Sequence, residues 1–227
     1  MAGIYLHIPF CKTRCAYCDF FSSVSMKEKD KYVEALCEEL NLRKDYLNGK
    51  PLKTIYFGGG TPSQLSYPDF QRIFDCIARL FPGDEIKEVT LEANPDDLSS
   101  DYLTSLRSLP FNRISLGIQS FNDTELHLLN RRHNARSAIG AVKNAQAAGF
   151  ENISIDLIYG IPGQSLVLWE NNLKQAVGLD IQHISAYHLT YEEGTPLFRL
   201  LKGGSICEID EDLSLEQFSL MGKIFVN

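Results

Sequence analysis

Apolar residues recur along this chain in two rhythms. Short runs rich in Ile, Val, Leu, Tyr and Phe fall at about residues 3–8, 53–57, 88–92, 113–118, 153–158 and 181–187, and runs of that length and composition predict β-strands. Between them the repeat lengthens to about 3.6 residues. Tyr32, Val33, Leu36, Cys37 and Leu40 form one stripe, and Phe70, Ile73, Phe74, Ile77 and Leu80 form another, each predicting an amphipathic helix. Ser66 with Asp69, and Asn122 with Glu125, have the spacing of a capping box, and Ala148-Gly149 has the form of a helix end. The segment from Leu213 to Asn227 reads as a helix without a terminal cap, with Met221, Ile224 and Phe225 expected on its exposed side.

Six strands alternating with helices predict an α/β fold whose strands pair in parallel through right-handed crossovers. Periodicity leaves two architectures open, an open doubly wound sheet and a curved partial barrel. A chain of 227 residues is long for an ordinary domain but usual for a single β/α barrel. In parallel α/β folds ligands gather at the carboxyl ends of the strands, and the unusual polar residues fall there. Gly58-Gly59-Gly60-Thr61-Pro62 follows the second strand, Glu92 ends the third and Gln119 ends the fourth, while Asp156 interrupts the apolar run of the fifth. A buried carboxylate costs several kcal/mol unless paired, so Asp156 is expected to have a partner or a ligand. The glycine run lacks the Gly-Lys-Ser/Thr ending of a phosphate loop. It reads either as a tight turn or as a place where backbone approaches a ligand closely.

Composition narrows the class. A net charge of −7 with scattered Lys and Arg argues against a nucleic-acid surface, which needs clustered positive charge. No run approaches the roughly eighteen apolar residues of a membrane span, and the N-terminus lacks the pattern of a secretory signal. A cytoplasmic location is therefore expected, with the six cysteines as thiols in a reducing compartment. Cys37 and Cys76 fall on apolar helix stripes and are expected in the core. Cys11, Cys15 and Cys18 are different, because gaps of three and two residues in one loop after the first strand let three thiolates surround one object. Zinc would want a fourth Cys or His, and His7 is the only close candidate. A four-iron cluster held by three cysteines would keep one iron open for a reactant.

The stretch from Cys11 to Phe20, with Tyr5 and His7 before it, resembles the radical S-adenosylmethionine superfamily, and within it the branch of oxygen-independent coproporphyrinogen oxidases and HemW-type heme chaperones. The resemblance implies a partial six-stranded (β/α)6 barrel spanning residues 1–227, with a C-terminal domain of the family absent or truncated. It implies a 4Fe–4S cluster on Cys11, Cys15 and Cys18 that cleaves S-adenosylmethionine reductively to methionine and a 5′-deoxyadenosyl radical. Tyr5, Gly59 and Glu92 match positions that contact the cluster-bound S-adenosylmethionine. Gly60, Thr61, Gln119, Arg131 and Asp156 match positions that hold a second S-adenosylmethionine in the oxidases, although Arg131 alone would equally suit a solvated helix end. Heme is implied as cargo for an acceptor protein, with an electron-donor protein as a further partner. The alternative is oxidative decarboxylation of coproporphyrinogen to protoporphyrinogen IX. Phe20 stands where the oxidases usually carry a fourth cysteine, and the long extension before their first strand is lacking, so the chaperone reading is favoured. The family's candidate heme-binding histidine motif belongs to the C-terminal region, so no residue here is assigned to heme.

Overall fold

The computed structural model describes residues 2–83 and 85–226. Six strands, β1 (Ala2–Ile8), β2 (Leu52–Gly59), β3 (Glu88–Ala93), β4 (Arg113–Gln119), β5 (Asn152–Tyr159) and β6 (His183–His188), form one sheet in chain order, and every neighbouring pair is parallel. The helices are α1 (Lys29–Leu42), α2 (Tyr67–Leu80), α3 (Ser100–Arg107), α4 (Asp123–Leu128), α5 (Ala135–Ala147), α6 (Leu166–Val177), α7 (Pro196–Lys202) and α8 (Glu211–Val226). A doubly wound sheet reverses its strand order at a switch point. This order never reverses, so crossovers of one hand put the connecting helices on one side. Among the described residues β1 and β6 do not pair with each other, which leaves the barrel partial.

Side chains alternate along a strand, so the register sorts them into two faces. Leu6, Phe57, Leu91, Ile114 and Ile153 align across β1 to β5, and all are buried. This row packs under the helices, where Phe57, Phe70, Phe74 and Phe111 meet with ring centroids 5.0 to 5.4 Å apart. Each such aromatic pair adds about 0.5–1.5 kcal/mol beyond area burial. The opposite face carries Tyr5, Tyr56, Thr90 and Arg113 in one row, and Glu92, Ser115 and Ser154 in the next. Closed barrels fill that space with branched apolar side chains. Here the inner face is polar.

Local signals are largely realised. Asp69 closes the capping box of α2, accepting from the Ser66 N–H at 2.8 Å, and Gly149 follows α5 at φ 89°. Asn122 caps α4 through the N–H groups of Thr124 and Glu125, at 3.0 and 3.1 Å. The expected box is only half formed, because the Glu125 carboxylate turns inward to Ser120 and Asn172. β6 starts at His183 rather than 181, since Gln182 is occupied clipping the Ile153 backbone. On α8, Met221 and Ile224 pack against the core instead of lying exposed, and of the expected three only Phe225 is open, at 39%.

Candidate functional site

The loop after β1 is held from several sides. Ser23 N–H donates to Pro9 O at 2.6 Å and Cys11 N–H to Ser23 O at 2.9 Å, closing the loop on itself. Remote segments then clasp it: Ala16 N–H donates to Leu129 O at 3.0 Å, Leu197 N–H to Ala16 O at 2.8 Å, and Asn130 Nδ2 to Arg14 O at 2.7 Å. Lys12, next to Cys11, donates to Asp97 at 2.7 Å. Asp97 also accepts from Ser63 at 2.8 Å, Gln64 at 2.6 Å and Arg132 at 3.3 Å.

Cys11, Cys15 and Cys18 are free thiols within this clasp. Burial pushes the Cys18 thiol up, an N–H from Phe20 works against it, and the nearby Cys15 and Cys11 add to the rise. Thr61 Oγ1 donates to Cys11 Sγ at 3.3 Å, and Arg131 Nη1 to Cys15 Sγ at 3.0 Å. A side chain at Gly60 would bring a Cβ within 3.1 Å of Cys11 Sγ and 2.9 Å of Ile8 O, so glycine is what lets this backbone lie against the sulfur. Among the described residues, no three His, Cys, Asp or Glu side chains gather around one point as a single ion requires. His7 does not complete a zinc set: its Nε2 lies 3.1 Å from Phe21 O. Three thiols in one loop clasped from several sides are the donor set that a cluster held by three cysteines needs, whereas zinc would want a fourth Cys or His. The residues therefore suit the cluster better than zinc.

Beside the loop, the polar face forms a connected site. Tyr56 OH donates to Glu92 Oε1 at 2.6 Å, and Gly59 N–H to Glu92 Oε2 at 3.2 Å. Burial raises the Glu92 carboxyl while Tyr56 and Gly59 oppose that rise. Tyr5, 58% exposed, stacks on Tyr56 with centroids 6.0 Å apart. Gly59 has φ 109°, and a Cβ there would strike the His7 ring at 2.6 Å. Deeper in, burial and then the charge of Glu92 push Asp156 up to about 6, opposed by a hydrogen bond from Ser185 and by Arg113 and Arg131. Gln119 is buried at φ 69°, next to the register shift between β4 and β5. A non-glycine residue held there costs about 1 kcal/mol or more, a strain that collects at functional sites.

Arg131 is not at a solvated helix end. It lies half-buried against the cysteine loop, and although burial disfavours its charge, Tyr17 and Cys15 favour it. His133 is buried with Nε2 at 3.0 Å from Ile118 O, and burial with Arg131 beside it pulls its imidazole down to about 4. Phe20, 63% exposed, projects from the loop. Sequence reasoning missed Tyr56, Arg113 and Asn94. The signal for them is the two-residue alternation of polar side chains along and just beyond β2, β3 and β4.

Among the described residues no helix is long and apolar enough to cross a membrane. The chain is similar to the curated "Heme chaperone HemW" of Bacillus subtilis, 37% identical over 97% of this chain and 59% of that protein. It is also similar to the Escherichia coli HemW, 39% identical over 85% of this chain and 52% of that protein. It thus spans between half and three-fifths of the length of these relatives. Its fold matches the solved coproporphyrinogen III oxidase HemN of Escherichia coli, described as a radical SAM enzyme, with a TM-score of 0.82 at 27% identity over 95% of this chain and 50% of that one. The family model of the radical SAM superfamily matches residues 5–175. With a parallel six-stranded partial barrel, a three-cysteine loop after β1 and that match, the chain belongs to the radical SAM superfamily.

Proposed function

We propose that residues 1–227 are the radical core of a HemW-like heme chaperone, which holds a 4Fe–4S cluster on Cys11, Cys15 and Cys18, binds heme and passes it to an acceptor protein in the cytoplasm. The observation that carries the cluster is the clasped loop of three free thiols, in which Cys11 lies against Gly60 and Thr61 and Cys15 against Arg131. The heme part rests on the names of the relatives that are 37% and 39% identical. When bound, the cluster would supply one electron for reductive cleavage of S-adenosylmethionine and an open iron to hold its amino acid end.

The protein's own residues would bind and orient. Glu92 would accept from the amino group of the cluster-bound S-adenosylmethionine, with Gly59 offering backbone and Tyr5 an aromatic wall. Gly60, Thr61, Gln119, Arg131 and Asp156 would face a second S-adenosylmethionine. The polar inner face would hold ordered water or ligand and keep bulk solvent from the loop. An electron-donor protein is required, and exposed Phe20 beside Cys18 is a candidate contact.

The test is anaerobic reconstitution with iron and sulfide, electron paramagnetic resonance with and without S-adenosylmethionine, then heme titration and transfer. A reduced cluster signal that changes with S-adenosylmethionine, followed by heme binding, supports the reading. One zinc and no iron would overturn it. The second reading, porphyrinogen oxidation, is favoured by the TM-score of 0.82 to HemN. Protoporphyrinogen formation without heme binding would select it.

A further inference from the structure

Thr61 after β2, Asn94 after β3 and Arg131 between α4 and α5 make one continuous hydrogen-bonded chain between two of the cysteines. Arg131 donates through Nη1 to Cys15 Sγ at 3.0 Å and through Nη2 to Asn94 Oδ1 at 2.7 Å. Asn94 Nδ2 donates to Thr61 Oγ1 at 3.3 Å, and Thr61 Oγ1 donates to Cys11 Sγ at 3.3 Å. The donor inventory fixes each direction. A guanidinium has only N–H donors, so the Asn94 amide must turn its oxygen to Arg131 and its nitrogen to Thr61. The Thr61 oxygen then accepts on that side, and its one proton is left for Cys11.

The chain is braced from outside. Asn94 N–H donates to Ser63 Oγ at 3.3 Å, and Ser63 donates to Asp97 at 2.8 Å. Arg131 Nη2 also reaches Gly117 O at 2.5 Å. A Cβ at Gly117 would lie 3.3 Å from that nitrogen and 3.0 Å from Gln119 Nε2, so glycine leaves the passage open. Asn94 itself touches neither sulfur.

We propose that Asn94 is a positioning residue that orients the hydrogen bonds to Cys11 and Cys15 and thereby sets the reduction potential of the cluster they hold. This rests on the cluster reading above. Reduction adds negative charge to the cluster and its thiolates, so donors aimed at the sulfurs stabilise the reduced state and raise the potential. The bond from the charged Arg131 is the stronger of the two. Losing Asn94 frees the Thr61 hydroxyl to rotate and removes the acceptor that steadies the guanidinium.

The experiment is a redox titration followed by electron paramagnetic resonance on the anaerobically reconstituted chain, with iron per chain measured alongside. Asn94→Leu should bind the wild-type amount of iron and show a more negative midpoint. Asn94→Asp keeps the acceptor for Arg131 but offers Thr61 a competing acceptor and adds a charge, so its midpoint should fall further. Thr61→Val should fall like Asn94→Leu, Thr61→Ser should stay at the wild-type value, and the Asn94→Leu/Thr61→Val pair should fall by less than the sum, as coupled neighbours do. Should Asn94→Leu lose the cluster altogether, the Asn94→Asp and threonine variants still decide. A wild-type midpoint in Asn94→Leu or Asn94→Asp overturns the inference alone. A wild-type chain that takes up no iron overturns the cluster reading and the inference with it.

Discussion

Replacing Asp156 by asparagine should stabilise the ligand-free chain at neutral pH while weakening the site. Its carboxyl is pushed up to about 6 by burial and by the charge of Glu92, with Ser185, Arg113 and Arg131 only partly opposing. In the unfolded chain it ionises near 3.9. Below about pH 4 both states hold the proton and the residue contributes nothing. As pH rises to about 6 the unfolded chain gives up its proton first, so stability falls, and above that the native state carries the full cost. The gap corresponds to roughly 3 kcal/mol, trimmed to about 1–2 by water reaching a partly buried side chain. Urea unfolding of the apo chain and of Asp156→Asn at pH 7.5 and pH 5 reads this directly. The variant should gain about 1–2 kcal/mol at pH 7.5, or about 2–8 °C in midpoint for a chain of this size, and clearly less at pH 5. Equal stabilities at pH 7.5, or a gain that grows on acidification, would refute the reasoning.

Asp97→Ala should destabilise the fold by about 3–5 kcal/mol, because its buried carboxylate accepts from Lys12, Ser63, Gln64 and Arg132 and removing it strands charged and polar donors. Lys12 is half exposed, so most of that loss comes from the other three, and circular dichroism melting would measure it. Gly59→Ala should cost more than about 2 kcal/mol, from φ 109° and the His7 ring 2.6 Å from the added Cβ. Gly49→Ala, at φ 74° with nothing within 4 Å, should cost only about 1–2 kcal/mol for the backbone alone. Gln217→Leu removes bonds to Gly160 N–H at 3.0 Å and Gln164 O at 3.2 Å. Because the Gly160 N–H also donates to Gln164 Oε1 at 3.0 Å, the change should cost only about 1 kcal/mol, read by urea unfolding, and leave that amide protected from hydrogen exchange.

The strands and the long helices were legible because burial on one face writes itself into local order. The choice between a doubly wound sheet and a partial barrel was not, since strand order depends on pairing between distant residues rather than on periodicity. The cysteine loop, Glu92, Gln119 and Asp156 could be found because each breaks a local pattern. Arg131 could not be placed, as its partners Cys15, Asn94 and Gly117 come from three other segments. Glu125 shows the converse: its spacing from Asn122 promised a cap, and a buried pair of partners, Ser120 and Asn172, won the side chain. Asn94 continues the polar alternation Glu88, Thr90, Glu92 past the end of β3, but before Pro95 it reads equally as a turn residue, and its partners Arg131 and Thr61 lie in other segments.

The clasp on the cysteine loop has a consequence for how the protein is made. Arg14 and its partner Asn130 are 116 residues apart, and Ala16 waits for a partner as distant as Leu197. At about 5–20 residues per second on the ribosome, the thiols emerge roughly 6 to 23 s before the first of these remote anchors. During that interval the three cysteines belong to an unclasped segment open to oxidation and to stray soft metal ions. A group bridging all three thiols would therefore be held only once these distant anchors are in place, and the cysteines would need protection until then.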